Sequence, residues 1–134
     1  MKIDGQCHCG QIAFEAEIDP DAVAICHCTD CQVLSGSAFR VVVPTPESHF
    51  VLLRGTPKTY ERTADSGNKR LQAFCPDCGT SLYSTAIGDT PGNVVIRVGV
   101  LRQCAGLPPK AQYWVHSGQS WVMDIESVPK FERQ

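Results

Sequence analysis

CHCGQIAFEAEI, residues 7–18, decides how this chain is read. Ile12, Phe14, Ala16 and Ile18 alternate with mostly polar neighbours, the period-2 pattern of a strand with one buried face. Just ahead of that strand, Cys7 and Cys9 form a C-x-C pair, so one segment joins β structure to candidate metal ligands. Similar β-branched and aromatic runs follow: FRVVVP (39–44), FVLLRG (50–55), KTYERT (58–63), RLQAFC (70–75), SLYSTA (81–86), VVIRVGVL (94–101) and AQYWVH (111–116). Pro, Gly, Asp and Ser separate them, as turn residues do. About eight strands are expected, in a mainly β fold of small antiparallel sheets. Helical turns are expected only at Thr29–Leu34, where Thr29 or Asp30 can cap, and at Pro46–Ser48. TADSGNK (63–69) is short enough to be a hairpin loop.

The 134 residues suit one domain, 1–134. Charged residues at 19% and hydrophobic residues at 43% place the chain among globular proteins, and no apolar run of about 18 residues suggests a membrane span. MKIDGQCHCG holds no signal-peptide core, so a cytoplasmic location is expected. In a reducing compartment eight cysteines point to metal ligation or thiol chemistry before disulfides. Lys and Arg are scattered singly or in pairs on a chain of net charge -2, which gives a nucleic-acid partner no basic stripe.

In a strand, residues i and i+2 share a face, so Cys7 is expected beside Cys9 and Cys26 beside Cys28, with His8 and His27 turned away. CPDCG (75–79) is a C-x2-C knuckle in which Pro76 pre-sets the turn and Gly79 allows a left-handed backbone. CHCTDCQVLSGSAF (26–39) adds Cys31 to the second pair. Two cysteine pairs close one tetrahedron, and seven cysteines therefore make one closed site and one three-cysteine site. Spacing leaves the partition open, since Cys75 and Cys78 complete a tetrahedron equally well with two of the middle three.

GQCHCGQIAFEAE, CHCTDCQVLSGSAF, FCPDCGTSLY and the closing LPPKAQYWVHSGQSW together resemble the glutathione-dependent formaldehyde-activating enzyme family, which also contains centromere protein V-like proteins. The likeness runs from about Gly5 to Trp121 and rests chiefly on the order and spacing of the three cysteine motifs. It implies a fold similar to that of B-type methionine sulfoxide reductases. It also implies a structural zinc on Cys7, Cys9, Cys75 and Cys78, and a catalytic zinc on Cys26, Cys28 and Cys31. Where many members carry a histidine before the last strand, this chain has Gln112.

Three thiolates on a divalent ion make a poor Lewis acid but a good seat for an incoming thiol, which the metal deprotonates. The expected activity is that of a carbon–sulfur lyase or synthase acting on an adduct such as S-hydroxymethylglutathione, with a small thiol, possibly glutathione, and a small aldehyde as partners. Ser35, Gly36 and Ser37 are either oxyanion donors or a turn. Arg40, Arg54 and Arg97 are candidate carboxylate contacts. Tyr113, Trp114, Trp121 and Phe131 are expected in the core or a pocket wall. Two other functions fit the same cysteines. One is a non-catalytic zinc-stapled β binding module whose second ion is closed by Cys104 or His27; the other is a thiol-redox repair protein using Cys104.

Overall fold

A computed structural model of the chain describes residues 1–64, 67–88 and 92–134. The strands in chain order are β1 (Lys2–Gln6), β2 (Ala13–Glu17), β3 (Ala24–Cys26), β4 (Arg40–Pro46), β5 (Phe50–Arg54), β6 (Lys58–Thr63), β7 (Lys69–Phe74), β8 (Ser81–Ala86), β9 (Asn93–Arg97) and β10 (Ala111–Tyr113). One α-helix, α1 (Thr29–Ser35), lies between β3 and β4. A three-stranded sheet has the order β1-β2-β5 and a seven-stranded sheet the order β10-β3-β4-β9-β8-β7-β6. The β10–β3 pair is parallel; the other pairs of named strands are antiparallel.

The expected strands and helical turns form, with two additional strands. In β1, KIDGQ turns Ile3 and Gly5 inward, and glycine carries no hydrophobic signal; β3 is only three residues long. VVIRVGVL leaves the sheet at Arg97 for a 3-10 turn, Val98–Val100, and AQYWVH leaves it at Trp114, whose φ of 59° no strand accepts. The 63–69 loop joins the paired strands β6 and β7, and its residues 65 and 66 lie outside the described set. No helix among the described residues is long and apolar enough to cross a membrane.

The core lies between the sheets. Ile12, Phe14 and Ala16 from the β2 region meet Val43, Leu82, Val94 and Ile96 of the larger sheet, all buried. The Phe14 ring lies 5.1 Å from Phe50, and Phe50 lies 4.7 Å from Tyr83 of β8, so a chain of aromatics crosses the interface. Burying one such side chain stabilises the fold by about 1.5–3 kcal/mol. The Thr45 hydroxyl adds a bond across the interface, donating to the Glu17 carbonyl at 2.5 Å.

Strand register decides what the opposite face of the larger sheet carries. Directly paired residues of antiparallel strands share a face, and so do residues i and i+2. Cys26 pairs with Arg40, Val42 with Arg97, Ser84 with Val95 and Gln72, and Arg70 with Arg62. Cys26, Arg40, Arg97, Gln72, Arg70 and Arg62 therefore stand on one face, away from Val43 and Ile96. The helix reaches over this face, since Asp30 near its start forms an ion pair with Arg62.

Candidate functional site

Two clusters of cysteine sulfurs form, one of Cys7, Cys9, Cys75 and Cys78 and one of Cys26, Cys28 and Cys31, each with its Sγ atoms within 4.8 Å of one another. The alternative grouping, in which Cys75 and Cys78 join the middle cysteines, does not occur. Neither C-x-C pair lies within a single strand, which corrects the geometry expected from strand alternation. Cys7 opens the turn after β1, Cys26 ends β3, and Cys28 is the N-cap of α1.

The four-cysteine cluster is built from two similar knuckles. The Cys7 amide donates to the Ile12 carbonyl at 3.0 Å, and the Cys75 amide to the Thr80 carbonyl at 3.0 Å. Gly10 and Gly79, at φ 79° and 76°, supply the left-handed residue each knuckle needs. The Cys7 and Cys9 sulfurs lie 3.6 Å apart and those of Cys9 and Cys75 3.7 Å apart. A tetrahedral zinc with Zn–S bonds of about 2.3 Å requires edges of about 3.8 Å, so the donor set fits that ion in both number and spacing. The four thiols share protons unequally: the Thr80 hydroxyl and amide hold Cys78 down at about 5, whereas Cys9, against its backbone bond to Gln11, is pushed up to about 12 by desolvation and by the neighbouring Cys7, Cys78 and Cys75 sulfurs.

The three-cysteine cluster lies at the join of β3 and α1. The Cys31 amide donates to the Cys28 sulfur at 3.3 Å, so the helix cap is itself a sulfur. Cys31 is buried, while Cys26 and Cys28 are partly exposed. The three thiols share protons unequally. The Cys31 thiol bonded to Cys26 holds Cys26 down at about 5, with help from the Cys28 amide and Arg40, and that same bond together with burial pushes Cys31 up. The set fits a thiophilic cation with one position left for a further ligand.

His27 belongs to neither cluster. It is 2% exposed and its Nε2 donates to the Gln112 Oε1 at 2.8 Å. Its backbone amide donates to the Tyr113 carbonyl, and its carbonyl accepts from the Gln32 amide group at 2.8 Å. The peptide between Cys26 and Cys28 is thus fixed from both sides, and Gln112 is a positioning partner for the loop. Gln32, unremarkable in the sequence, ties α1 to this network and to the Ser117 carbonyl at 2.9 Å.

Arg40 and Arg97, each 6% exposed, stand beside this cluster. Both donate to the Gln72 Oε1, at 3.5 and 2.5 Å. Among the described residues, Arg40 Nη2 and Arg97 Nε are buried without a hydrogen-bond partner. Burial and the neighbouring Arg40 lower Arg97 to about 9, while Cys31 acts in the opposite sense. Arg70 and Arg62 continue the row, Arg70 donating to the Ser84 hydroxyl at 3.3 Å. Arg70 and Gln72 escape residue-by-residue reading, and only the pairing of β6, β7 and β8 brings them to the site.

Other candidates fall elsewhere. Arg54 donates to the Gly10 carbonyl at 3.1 and 2.7 Å, on the smaller sheet. The Ser35 hydroxyl and the amides of Gly36 and Ser37 bond to carbonyls at the end of α1, the turn reading rather than the oxyanion reading. Cys104 is exposed and outside both clusters. Tyr113, Trp114, Trp121 and Phe131 are all exposed, contrary to the expected core or pocket wall. Tyr113 ends the edge strand β10 and Trp114 follows it, while beyond Gly118 the chain has no helix or strand, so Trp121 and Phe131 have no sheet to pack into.

The family model described as glutathione-dependent formaldehyde-activating enzyme matches residues 2–117. Among solved structures, the crystal structure of a Rhodobacter sphaeroides protein has the same fold, with a TM-score of 0.64 at 19% identity over 81% of this chain and 98% of that one. The match covers both cysteine clusters and Gln112, and on it the chain belongs to the glutathione-dependent formaldehyde-activating enzyme family.

Proposed function

We propose that the protein makes or breaks the carbon–sulfur bond of an adduct between a small thiol, glutathione in the first instance, and a small aldehyde, formaldehyde in the first instance. Cys26, Cys28 and Cys31 hold a catalytic zinc in this reading, and Cys7, Cys9, Cys75 and Cys78 a structural one. The observation that carries it is a cluster of three sulfurs without a fourth cysteine, beside a separate cluster of four. Zinc on three thiolates supplies a position where a thiol is deprotonated at neutral pH, although a free thiol with a pKa of about 8.5 is mostly protonated there.

The protein's residues hold and orient. The Cys31 amide fixes the Cys28 sulfur, and His27 with Gln112 and Gln32 fixes the intervening peptide. Arg40 favours the thiolate forms of Cys26 and Cys31. In the synthetic direction the thiol sulfur bonds to the carbonyl carbon, the π pair moves to oxygen, and the proton lost by the thiol ends on that oxygen. The product is an S-hydroxymethyl adduct, and the reverse is the lyase reaction. None of the eight cysteines is in a disulfide, which suits a reducing, cytoplasmic setting.

The test is a panel of thiols and aldehydes followed by exchange NMR, comparing the zinc-loaded protein with Cys28→Ser. Acceleration of adduct formation and cleavage well above the spontaneous rate, lost in the variant while its fold is retained, is the expected result. Equal rates with both proteins would remove the enzyme reading.

A further inference from the structure

We propose that the arginine face beside Cys26 is a binding site for a carboxylate-bearing small molecule, seated between α1 and the larger sheet. It rests on the reading above for the reaction that follows, but on the arginines alone for the binding. Four guanidiniums, Arg40, Arg97, Arg70 and Arg62, stand on one sheet face by register. Asp30 is the carboxylate paired with them, through Arg62. Even with a tri-thiolate zinc contributing one negative charge, two of the four positive charges are unmatched.

The unmet demand is local as well as global. Arg40 Nη2 and Arg97 Nε are buried and have no hydrogen-bond partner among the described residues, and Arg62 Nε shares that condition. Gln72, a neutral amide, is the shared acceptor for Arg40 and Arg97. A buried charged donor left unpaired is strongly unfavourable, so an oxyanion that pairs with it recovers that loss on binding. Space exists for one: Arg40, Arg97, Phe39 and Leu34 line a cavity of about 370 Å³. A second hollow of about 450 Å³, lined by Gln72, Tyr60 and Lys58, shares Leu34, Gly79 and Ser81 with it. The guanidinium fork matches a planar carboxylate through two parallel bonds, and the pair of hollows suits a ligand longer than formaldehyde. Arg40 is the cross-strand partner of Cys26, so a carboxylate held there stands beside the three-cysteine cluster.

The carboxylate belongs either to the thiol or to the electrophile, and the test separates them. Calorimetric titration of the zinc-loaded protein uses S-methylglutathione, whose sulfur is blocked, its diethyl ester, glyoxylate, and inorganic phosphate. The expected result is binding of S-methylglutathione at least tenfold tighter than its ester, with Arg97→Gln weakening the acid at least tenfold and the ester little. Arg70→Gln, at a less buried position, gives a smaller loss in the same direction and serves if the first variant does not fold. Arginine-dependent binding of glyoxylate without S-methylglutathione assigns the carboxylate to the electrophile and also supports the site. Equal binding of acid and ester, tighter binding of phosphate than of either carboxylate, or no effect of either substitution overturns it. Arginine-dependent binding without accelerated adduct chemistry leaves the site standing and removes the lyase reading. Accelerated chemistry that is indifferent to esterification does the reverse.

Discussion

Replacing Cys75 with serine should lower stability far more than replacing Cys28. Cys7 and Cys9 lie in the turn between β1 and β2, and Cys75 and Cys78 in the turn between β7 and β8, so an ion bound by all four clamps the two sheets together. Cys9 and Cys75 are 66 residues apart in sequence. Treated as a cross-link that closes a loop of that length, the clamp removes about 4 kcal/mol of chain entropy from the unfolded state. Whole domains have only about 5–15 kcal/mol of stability. At roughly 4 °C per kcal/mol for a domain of this size, Cys75→Ser should lower the Tm by about 15 °C. Cys75 is fully buried, but serine is close to cysteine in size, so packing contributes little to the difference. Cys28→Ser breaks a cluster whose members are already neighbours in sequence, and only a few degrees should be lost. Thermal unfolding by circular dichroism, with metal content measured on the same samples, makes the comparison. Stripping both proteins with a strong chelator should bring the wild-type and Cys75→Ser curves together. A Cys75→Ser protein that has lost one metal equivalent yet melts within about 3 °C of wild type would refute the clamp.

Gln112→Leu removes the acceptor of His27 Nε2 and should cost about 1 kcal/mol in urea unfolding, with metal content unchanged. Gly55→Ala should destabilise by at least about 2 kcal/mol, because φ is +83° and the new Cβ would lie 2.4 Å from the Gln11 carbonyl oxygen; urea unfolding measures this too. Cys104→Ser should change neither zinc content nor adduct-exchange rate, since Cys104 is exposed and outside both clusters. A drop in either quantity would bring that residue back as a ligand or nucleophile.

Most strands were legible because period-2 runs such as Ile12, Phe14 and Ala16 report a buried face directly. β1 was not, since its inward positions are Ile3 and Gly5, and the glycine is there to admit the Phe14 ring. A Cβ at Gly5 would meet Phe14 Cζ at 2.5 Å, a tertiary constraint with no local signature. The cysteine motifs were legible as sets, but spacing could not partition them, because only the packing of one sheet on the other brings residues 7–9 to residues 75–78. The arginine face was read only as isolated candidates. Arg40 and Arg97 were visible, yet their common face with Arg70 and Gln72 depends on register across β4, β9, β8 and β7, which no single segment encodes. The exposed C-terminal aromatics misled for a related reason: Tyr113 and Trp114 fall at a three-residue edge strand and Trp121 and Phe131 beyond any strand, and aromatic content predicts burial only where a neighbouring element covers the ring.

The central claim is that the Cys26, Cys28 and Cys31 centre keeps a position for an exogenous thiol, and cadmium-113 NMR of the cadmium-substituted protein tests it most directly. Seven cysteines over two ions predict two resonances, one typical of four sulfur ligands and one shifted as three sulfurs require. On addition of glutathione the second should move into the four-sulfur range while the first stays in place, and Cys28→Ser should abolish only the second. Two four-sulfur resonances before any thiol is added, or a three-sulfur resonance that glutathione leaves unmoved, would contradict the account.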